Sequence, residues 1–283
     1  MLRFSIVNKV VVLLSMLFCW PILVAAEATD TAKPLWEVGL GSAYFSLPHY
    51  RGSAQQSSYL LPFPYLIYRG ETIKADGRSV RGILLDRERF HADLSFDLTP
   101  QTRSSDDPLR QGMPDRDPLL EIGPSLQVDL QKGGVAEGEM VWQAVVALRH
   151  AITVPDVASH GWLLYPHLKG DYRTNEGLRL SGMVGPLFAT QEYHSYYYDV
   201  EAAQARVGRA EYHADGGFSG NRLTMTASKK VGSWWLGAFV RYDDLHGAVM
   251  EDSPLLAQKQ NVSVGIGAAW VFATSNETVS TRE

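Results

Sequence analysis

Read for period two, the chain from residue 36 onward alternates apolar positions with small or polar ones, segment after segment. Trp36, Val38, Leu40 and Tyr44 alternate with Glu37, Gly39, Gly41 and Ala43. Ala92, Leu94, Phe96 and Leu98 alternate with Asp93, Ser95 and Asp97, and Leu120, Ile122, Leu126 and Val128 with Glu121, Gly123, Gln127 and Asp129. The same rhythm continues through 142–149, 162–171, 178–184, 222–228 and 234–242. Alternation places one set of side chains on each face of a strand. The segments are close to the ~9–11 residues of a tilted membrane-spanning strand and long for a soluble sandwich, whose strands run ~5–6 residues. Trp36, Trp142, Trp162, Trp234 and Trp270 all fall near strand ends on the apolar face, where an interfacial aromatic girdle needs them. The final segment, Asn261 to Phe272, ends in Gly267, Trp270 and Phe272, which has the form of a barrel-closing strand. The pattern predicts an all-β fold: a transmembrane antiparallel up-and-down β-barrel of about twelve strands. The number falls to about ten if two ambiguous segments around Glu71–Asp86 are not strands.

Between these segments the chain supplies turns and loops. Lys132-Gly133-Gly134, Asn175-Glu176-Gly177 and Val231-Gly232-Ser233 read as tight turns. Polar stretches at Pro48–Ser58, Thr99–Pro118, Gln191–Gly220 and His246–Lys259 read as long loops. Short turns on one rim and long loops on the other is the usual barrel asymmetry. No repeat, linker or low-complexity tract divides the chain.

The N-terminus narrows the class. Residues 1–26 carry Arg3 and Lys9, an apolar run from Val10 to Trp20, and Val24-Ala25-Ala26. This is the form of a secretory signal peptide, with cleavage expected before Glu27. The run is short for a membrane helix, which needs ~20 residues. Bulky Phe18 before Cys19 argues against a lipoprotein signal. Cys19 is the chain's one cysteine, so the remainder, with barrel 27–272 and a polar tail 273–283, forms no internal disulfide. Of 283 residues, 26 are basic and 31 acidic, a formal net charge of −5. Losing Arg3 and Lys9 makes the remainder more acidic, which gives no footing for nucleic acid.

The loops carry a family resemblance. Leu47-Pro-His-Tyr50-Arg-Gly52-Ser resembles the first loop of the MipA/OmpV family of outer-membrane proteins (MltA-interacting-protein-like). Tyr59-Leu-Leu-Pro62-Phe-Pro64-Tyr resembles the proline-bearing strand after it. Leu109-Arg-Gln-Gly112-Met113-Pro-Asp115 through Leu120-Glu121-Ile-Gly123 is similar to that family's loop into a central strand. Tyr196-Tyr-Tyr-Asp-Val200, Ala202 to Ala205, Tyr212, Gly216 and Gly217 resemble its Tyr-rich segment, and Asp252-Ser253-Pro254 completes the order. The matches span about residues 36–272. Two features depart from the family pattern: the tail beyond Phe272, and Tyr198-Asp199 where a Phe-Gly pair is usual. The resemblance implies a Gram-negative outer-membrane barrel with no enzymatic activity and no cofactor. It also implies a monomer in contact with outer-membrane lipid and the barrel-insertion machinery, in a scaffolding role that holds a lytic transglycosylase beside a peptidoglycan synthase.

The residues bear on three other chemistries. A lipid hydrolase needs an oriented Ser–His pair, and His194-Ser195 is the one adjacent pair. Neighbours on a strand face opposite ways, and no Gly-x-Ser-x-Gly elbow is present. Asp106, Asp107, Asp115 and Asp117 crowd one loop but lack the spacing of a calcium loop, and read as solvated acids. No histidine spacing suggests zinc. A narrow channel for small solutes or ions is the remaining alternative. Period two places Asp93, Asp97, Glu121 and Asp129 in the lumen on early strands, with Arg149, Lys169, Arg173, Arg179, Arg222 and Arg241 on later ones. Opposed walls of this kind either line a pore or close it with salt bridges.

Overall fold

The computed structural model describes residues 32–69, 73–75, 80–82, 85–87, 89–135 and 138–280. The signal peptide expected over residues 1–26, with its cleavage point, lies outside the described residues. Ten long strands carry the fold: β2 (Trp36–Pro48), β3 (Gln56–Arg69), β7 (Phe90–Thr99), β8 (Leu119–Val135), β9 (Gly138–Thr153), β10 (Ser159–Thr174), β11 (Arg179–Ala189), β12 (Gly217–Val231), β13 (Trp234–Asp244) and β14 (Gln260–Thr274). Three strands of three residues each, β4 (Ile73–Ala75), β5 (Val80–Gly82) and β6 (Leu85–Arg87), occupy the ambiguous stretch. A further pair, β1 (Ala32–Pro34) and β15 (Thr278–Ser280), forms a separate two-stranded ribbon.

Every ladder in the main sheet is antiparallel. Its order runs β5-β4-β3-β2-β14-β13-β12-β11-β10-β9-β8-β7-β6. The first and last long strands pair, Ile266 opposite Tyr44 and Trp270 opposite Leu40. The two outermost strands, β5 and β6, are separated in sequence only by residues 83–84, so the order returns on itself and the sheet curls into a barrel. Contacts across the interior agree: Asp97 on β7 pairs with Arg222 on β12 and Arg241 on β13, strands far apart in the sheet.

The two faces divide as the alternation predicts. Outward lie Leu40, Leu60, Leu66, Leu126, Leu164, Val264 and Ile266, all exposed. An apolar surface this continuous belongs in lipid, since water-soluble monomers seldom expose such patches. Aromatics rim it at both ends. Trp36, Tyr68, Trp234, Trp270 and Phe272 stand toward the short-turn rim, and Tyr44, Phe96, Trp162 and Phe188 toward the other. Trp234 and Trp270 are cross-strand partners, as are Trp36 and Tyr68.

All five long connections, 49–55, 100–118, 154–158, 190–216 and 245–259, leave the same rim. The opposite rim carries the short turns, with Gly177 and Gly232 at positive φ (82° and 58°). One turn falls elsewhere than expected. Lys132-Gly133-Gly134 is strand, paired with Val141, Met140 and Glu139, and β8 runs on to Val135. Continued pairing with β9 outweighs the local turn preference of Gly-Gly.

The end of the chain is tied down. β14 continues past Phe272 to Thr274, and Thr278–Ser280 pairs with Pro34 back to Ala32. The Leu35 amide donates to Glu277 O at 2.8 Å, and the Ser275 amide to Trp36 O at 3.0 Å. The ribbon therefore stands at the short-turn rim.

Candidate functional site

Odd-numbered residues of β7 to β11, even-numbered residues of β12 and odd-numbered residues of β13, β14, β2 and β3 face the interior, as their burial shows. All ten residues assigned to the lumen from the sequence lie on this inner register. Five of them meet. Asp97 Oδ2 lies 3.3 Å from Arg222 Nη1, 3.3 Å from Arg241 Nη1 and 3.7 Å from Arg149 Nη1. Arg149 also reaches Glu121 at 3.4 Å. Two unforeseen members complete the layer. Asp243 accepts from Arg222 at 2.8 Å and from Arg51 at 3.1 Å. Asp243 was legible in principle, since it stands two residues from Arg241 and so shares its face; Arg51 comes from a loop, where no periodicity points inward.

The other five predicted lumen charges sit nearer the short turns. Asp93 accepts from Gln127 at 2.6 Å. Asp129 accepts from Gln143 at 2.7 Å and lies 3.3 Å from His91. Lys169 pairs with Asp171 at 2.8 Å, and Arg179 approaches the same carboxylate at 3.8 Å. Arg173 stands in register with Arg179 and Glu139 near the rim. At that rim Glu37 holds both Arg69 and Lys230.

The wall formed by β13, β14, β2 and β3 is different: it is aromatic. Phe45 packs on Phe239 (ring centroids 6.1 Å apart), and Trp235 packs on Phe63 (6.2 Å) and Tyr65 (5.9 Å). Glycines make room for these rings. A Cβ at Gly265 would sit 2.3 Å from the Phe239 ring. Alternation alone does not separate this wall from the lipid face, because both are apolar here.

The largest departure from the sequence reading is at the long-loop rim. The Tyr-rich segment is not an extended strand or loop. Gln191–Tyr198 forms a helix, α1, with Tyr193, His194, Tyr196, Tyr197 and Tyr198 buried. The four tyrosines pack with Tyr50, Leu119, Leu163, Leu187, Leu245 and Met250 into one cluster that fills the barrel mouth. Hydrogen bonds lock the loops together. Tyr193 Oη donates to Glu121 Oε1 at 2.8 Å, Tyr196 Oη to Asp117 O at 2.9 Å, Tyr198 Oη to Arg51 O at 2.8 Å and Tyr50 Oη to Leu255 O at 2.7 Å. Burial, then the charge of Glu121, hold the Tyr193 phenol well above its usual range, so it remains a donor. Between cap and ionic layer remains a cavity of about 60 Å³, bordered by Asp97, Glu121, Arg222, Arg241 and Tyr193. That is room for a few waters.

His194 does not work with Ser195. Its Nδ1 donates to Asp215 O at 2.6 Å, and its Nε2 accepts from Ser219 Oγ at 2.9 Å. Arg51 donates to Ser219 Oγ (3.0 Å) and Ser219 O (2.6 Å). His194 and Ser219 are both fully buried, so the pair clamps α1 to β12 rather than meeting lipid or solvent. Burial lowers the His194 pKa most, the Asp215 carbonyl draws it partly back, and Arg51 lowers it again. A depressed folded value means that the unfolded chain takes up its proton first as pH falls. The cap is therefore expected to lose stability below the ordinary histidine pKa of ~6.5. Proteolysis of the 190–216 loop in folded barrels should accelerate between about pH 6.5 and 5, and His194→Asn should flatten that dependence.

The four loop aspartates are not gathered. Asp107 accepts from Ser53 Oγ (2.9 Å) and the Leu109 amide (3.0 Å), and Asp115 from the Ser104 amide (2.7 Å). Asp107 and Asp115 thus hold turns of the 100–118 loop.

Lipid-facing strands, aromatic rims and a polar interior define an outer-membrane β-barrel whose lumen is filled at its long-loop end. The chain belongs to the MipA family, described as MltA-interacting protein MipA, whose sequence model matches residues 39–272. No curated protein matches the sequence. Similar solved structures include the outer-membrane protein OprG from Pseudomonas aeruginosa (12% identity, 86% of this chain and 96% of that one, TM-score 0.23). The Ralstonia pickettii toluene transporter TbuX (12%, 86% and 70%, TM-score 0.24) and the outer-membrane protein AlkL (11%, 93% and 99%, TM-score 0.20) are also similar. Likenesses this loose say nothing about what the chain carries or binds. In outer-membrane barrels the long loops face the exterior and the short turns the periplasm, which puts the cap outside and the β1–β15 ribbon inside.

Proposed function

We propose that this barrel is a non-conducting, non-catalytic scaffold. It holds a murein-cleaving lytic transglycosylase, beside a peptidoglycan synthase, against the inner leaflet of the outer membrane. The observation that carries this reading is the filled mouth. A tyrosine cap over a cross-lumen layer of four arginines and three carboxylates suits an anchor better than a pore. The family description, MltA-interacting protein, supports the class of partner. The ribbon of β1 and β15 at the periplasmic rim offers extended backbone to which a partner strand can add.

The test is direct binding. The refolded barrel in lipid nanodiscs is titrated with a purified lytic transglycosylase and with a purified peptidoglycan synthase. Saturable binding of the transglycosylase, weakened when residues 275–283 are removed, is the expected result. Binding of neither enzyme by a barrel shown to be folded overturns the scaffold.

A narrow channel is the second reading, favoured by the polar lower lumen around Asp93, Asp129, Lys169 and Asp171. It requires the cap to move aside.

A further inference from the structure

Outside the lumen, the cap brings together a set of side chains that the scaffold reading does not use. Val200 and Tyr212 form an antiparallel bridge, each amide donating to the other's carbonyl (2.8 and 3.0 Å). Val200 is fully buried. Side chains one position away on each strand of such a bridge point to the opposite face. Asp199 thus stands across from His213, and Glu201 across from Glu211, all four on the outward side. Glu201 and Glu211, like charges directly opposite each other, are destabilising neighbours, so this face gains from a nearby positive charge.

We propose that Asp199, Glu201 and His213 bind a divalent first-row metal ion, of the zinc type, on the exterior face of the cap. Their ligand atoms lie within 4.8 Å of one another. Bonds of ~2.1 Å in a tetrahedral site put ligands about 3.4 Å apart, so modest side-chain rotation closes the set. The neighbours leave the right atoms available. Asp199 Oδ1 accepts from the Ala214 amide at 2.7 Å, which orients Oδ2 for the ion. His213 Nε2 lies 3.3 Å from Glu211 Oε1, and its Nδ1 lies 3.7 Å from Asp199 Oδ2. A carboxylate on the far nitrogen fixes the tautomer that offers Nδ1 to a metal, the usual arrangement around ligating histidines. One imidazole with two carboxylates suits zinc or manganese better than magnesium.

The surroundings of the cluster are open and carry further negative charge. Asp199 and Glu201 also border an open cleft of about 540 Å³ on the outer side of α1. Its wall carries a third carboxylate, Glu192, against the single guanidinium of Arg116, which lies over the Tyr196 ring at 4.9 Å. With three protein ligands, the ion keeps a position open to this cleft, where water or an oxygen of a surface glycan can bind.

The experiment is zinc titration of the full-length refolded barrel against a fluorescent chelator, with the heat-dependent gel shift confirming folding of each variant. One zinc per chain, bound at low micromolar concentration, is expected. Asp199→Asn keeps the Ala214 hydrogen bond and His213→Ala removes the imidazole; each should weaken binding at least tenfold. His246→Ala, a remote exposed histidine, should leave it unchanged. Absence of binding by folded wild-type protein overturns the proposal. So does a zinc site that survives both variants.

Discussion

Asp97→Ala is expected to destabilise the barrel by about 3–5 kcal/mol, the cost of removing one partner from a buried charge cluster. Asp97 is the one carboxylate that three guanidinium groups share: Arg149, Arg222 and Arg241 all converge on Oδ2. Without it, Glu121 and Asp243 remain to balance Arg51, Arg149, Arg222 and Arg241, and the arginines face one another across a narrow lumen. Asp97→Asn keeps the volume and should lose stability in the same direction. The measurement is the urea midpoint of barrels folded in liposomes. Pairing Asp97→Ala with Arg222→Met removes a surplus charge and should recover part of the loss, a coupling that a double-mutant cycle reads directly. A shift for Asp97→Ala within ~0.5 kcal/mol of zero would mean that the ionic layer holds nothing in place.

The second large effect belongs to the cap, and Arg110 controls it. This arginine is fully buried in the 100–118 loop. Its Nη1 donates to Tyr197 O at 3.0 Å, its Nε to Ser104 Oγ at 3.4 Å, and its guanidinium lies 5.7 Å from the centre of the Tyr50 ring. Burial, then the charge of Arg116, lower its pKa to about 10, so it is charged at neutral pH. Arg110→Ala leaves the Tyr197 carbonyl without its donor and opens a void among the tyrosines. The expected cost is about 2–5 kcal/mol, confined to the loops. Local opening of that size exposes the cap without melting the strands. Added protease should nick 100–118 and 190–216 in the variant far faster than in the wild type, while the gel shift of the barrel stays the same. Equal nicking in both would show that the cap does not depend on this residue.

Strands and lumen charges were legible in the sequence because both rest on period two. Every residue from Asp93 to Arg241 placed in the lumen lies on the inner register, since one position of slip would have moved a whole strand's apolar face inward. The cap was hidden for the opposite reason. Gln191–Tyr198 has no apolar stripe, and its tyrosines are buried around most of the helix, so tertiary burial rather than local preference makes the helix. The aromatic wall was hidden because Phe63, Tyr65 and Trp235 alternate with residues equally apolar on the lipid side. The metal-type cluster joins residues 199–201 and 211–213 through a bridge of one residue pair, too short to leave a periodic trace. What the sequence does show there is Asp199-x-Glu201, two ligands on one face of an extended segment, and Glu211-x-His213, a third ligand with the carboxylate that orients it.

The tyrosine cap and the ionic layer together close the lumen. Single-channel recording of the wild-type barrel in a planar bilayer tests this closure most directly, once the heat-dependent gel shift has shown that the protein is folded. An electrically silent barrel is the expected result, with the tyrosine cap and the arginine–carboxylate layer in place. Discrete, reproducible conductance steps from the folded wild type would contradict it.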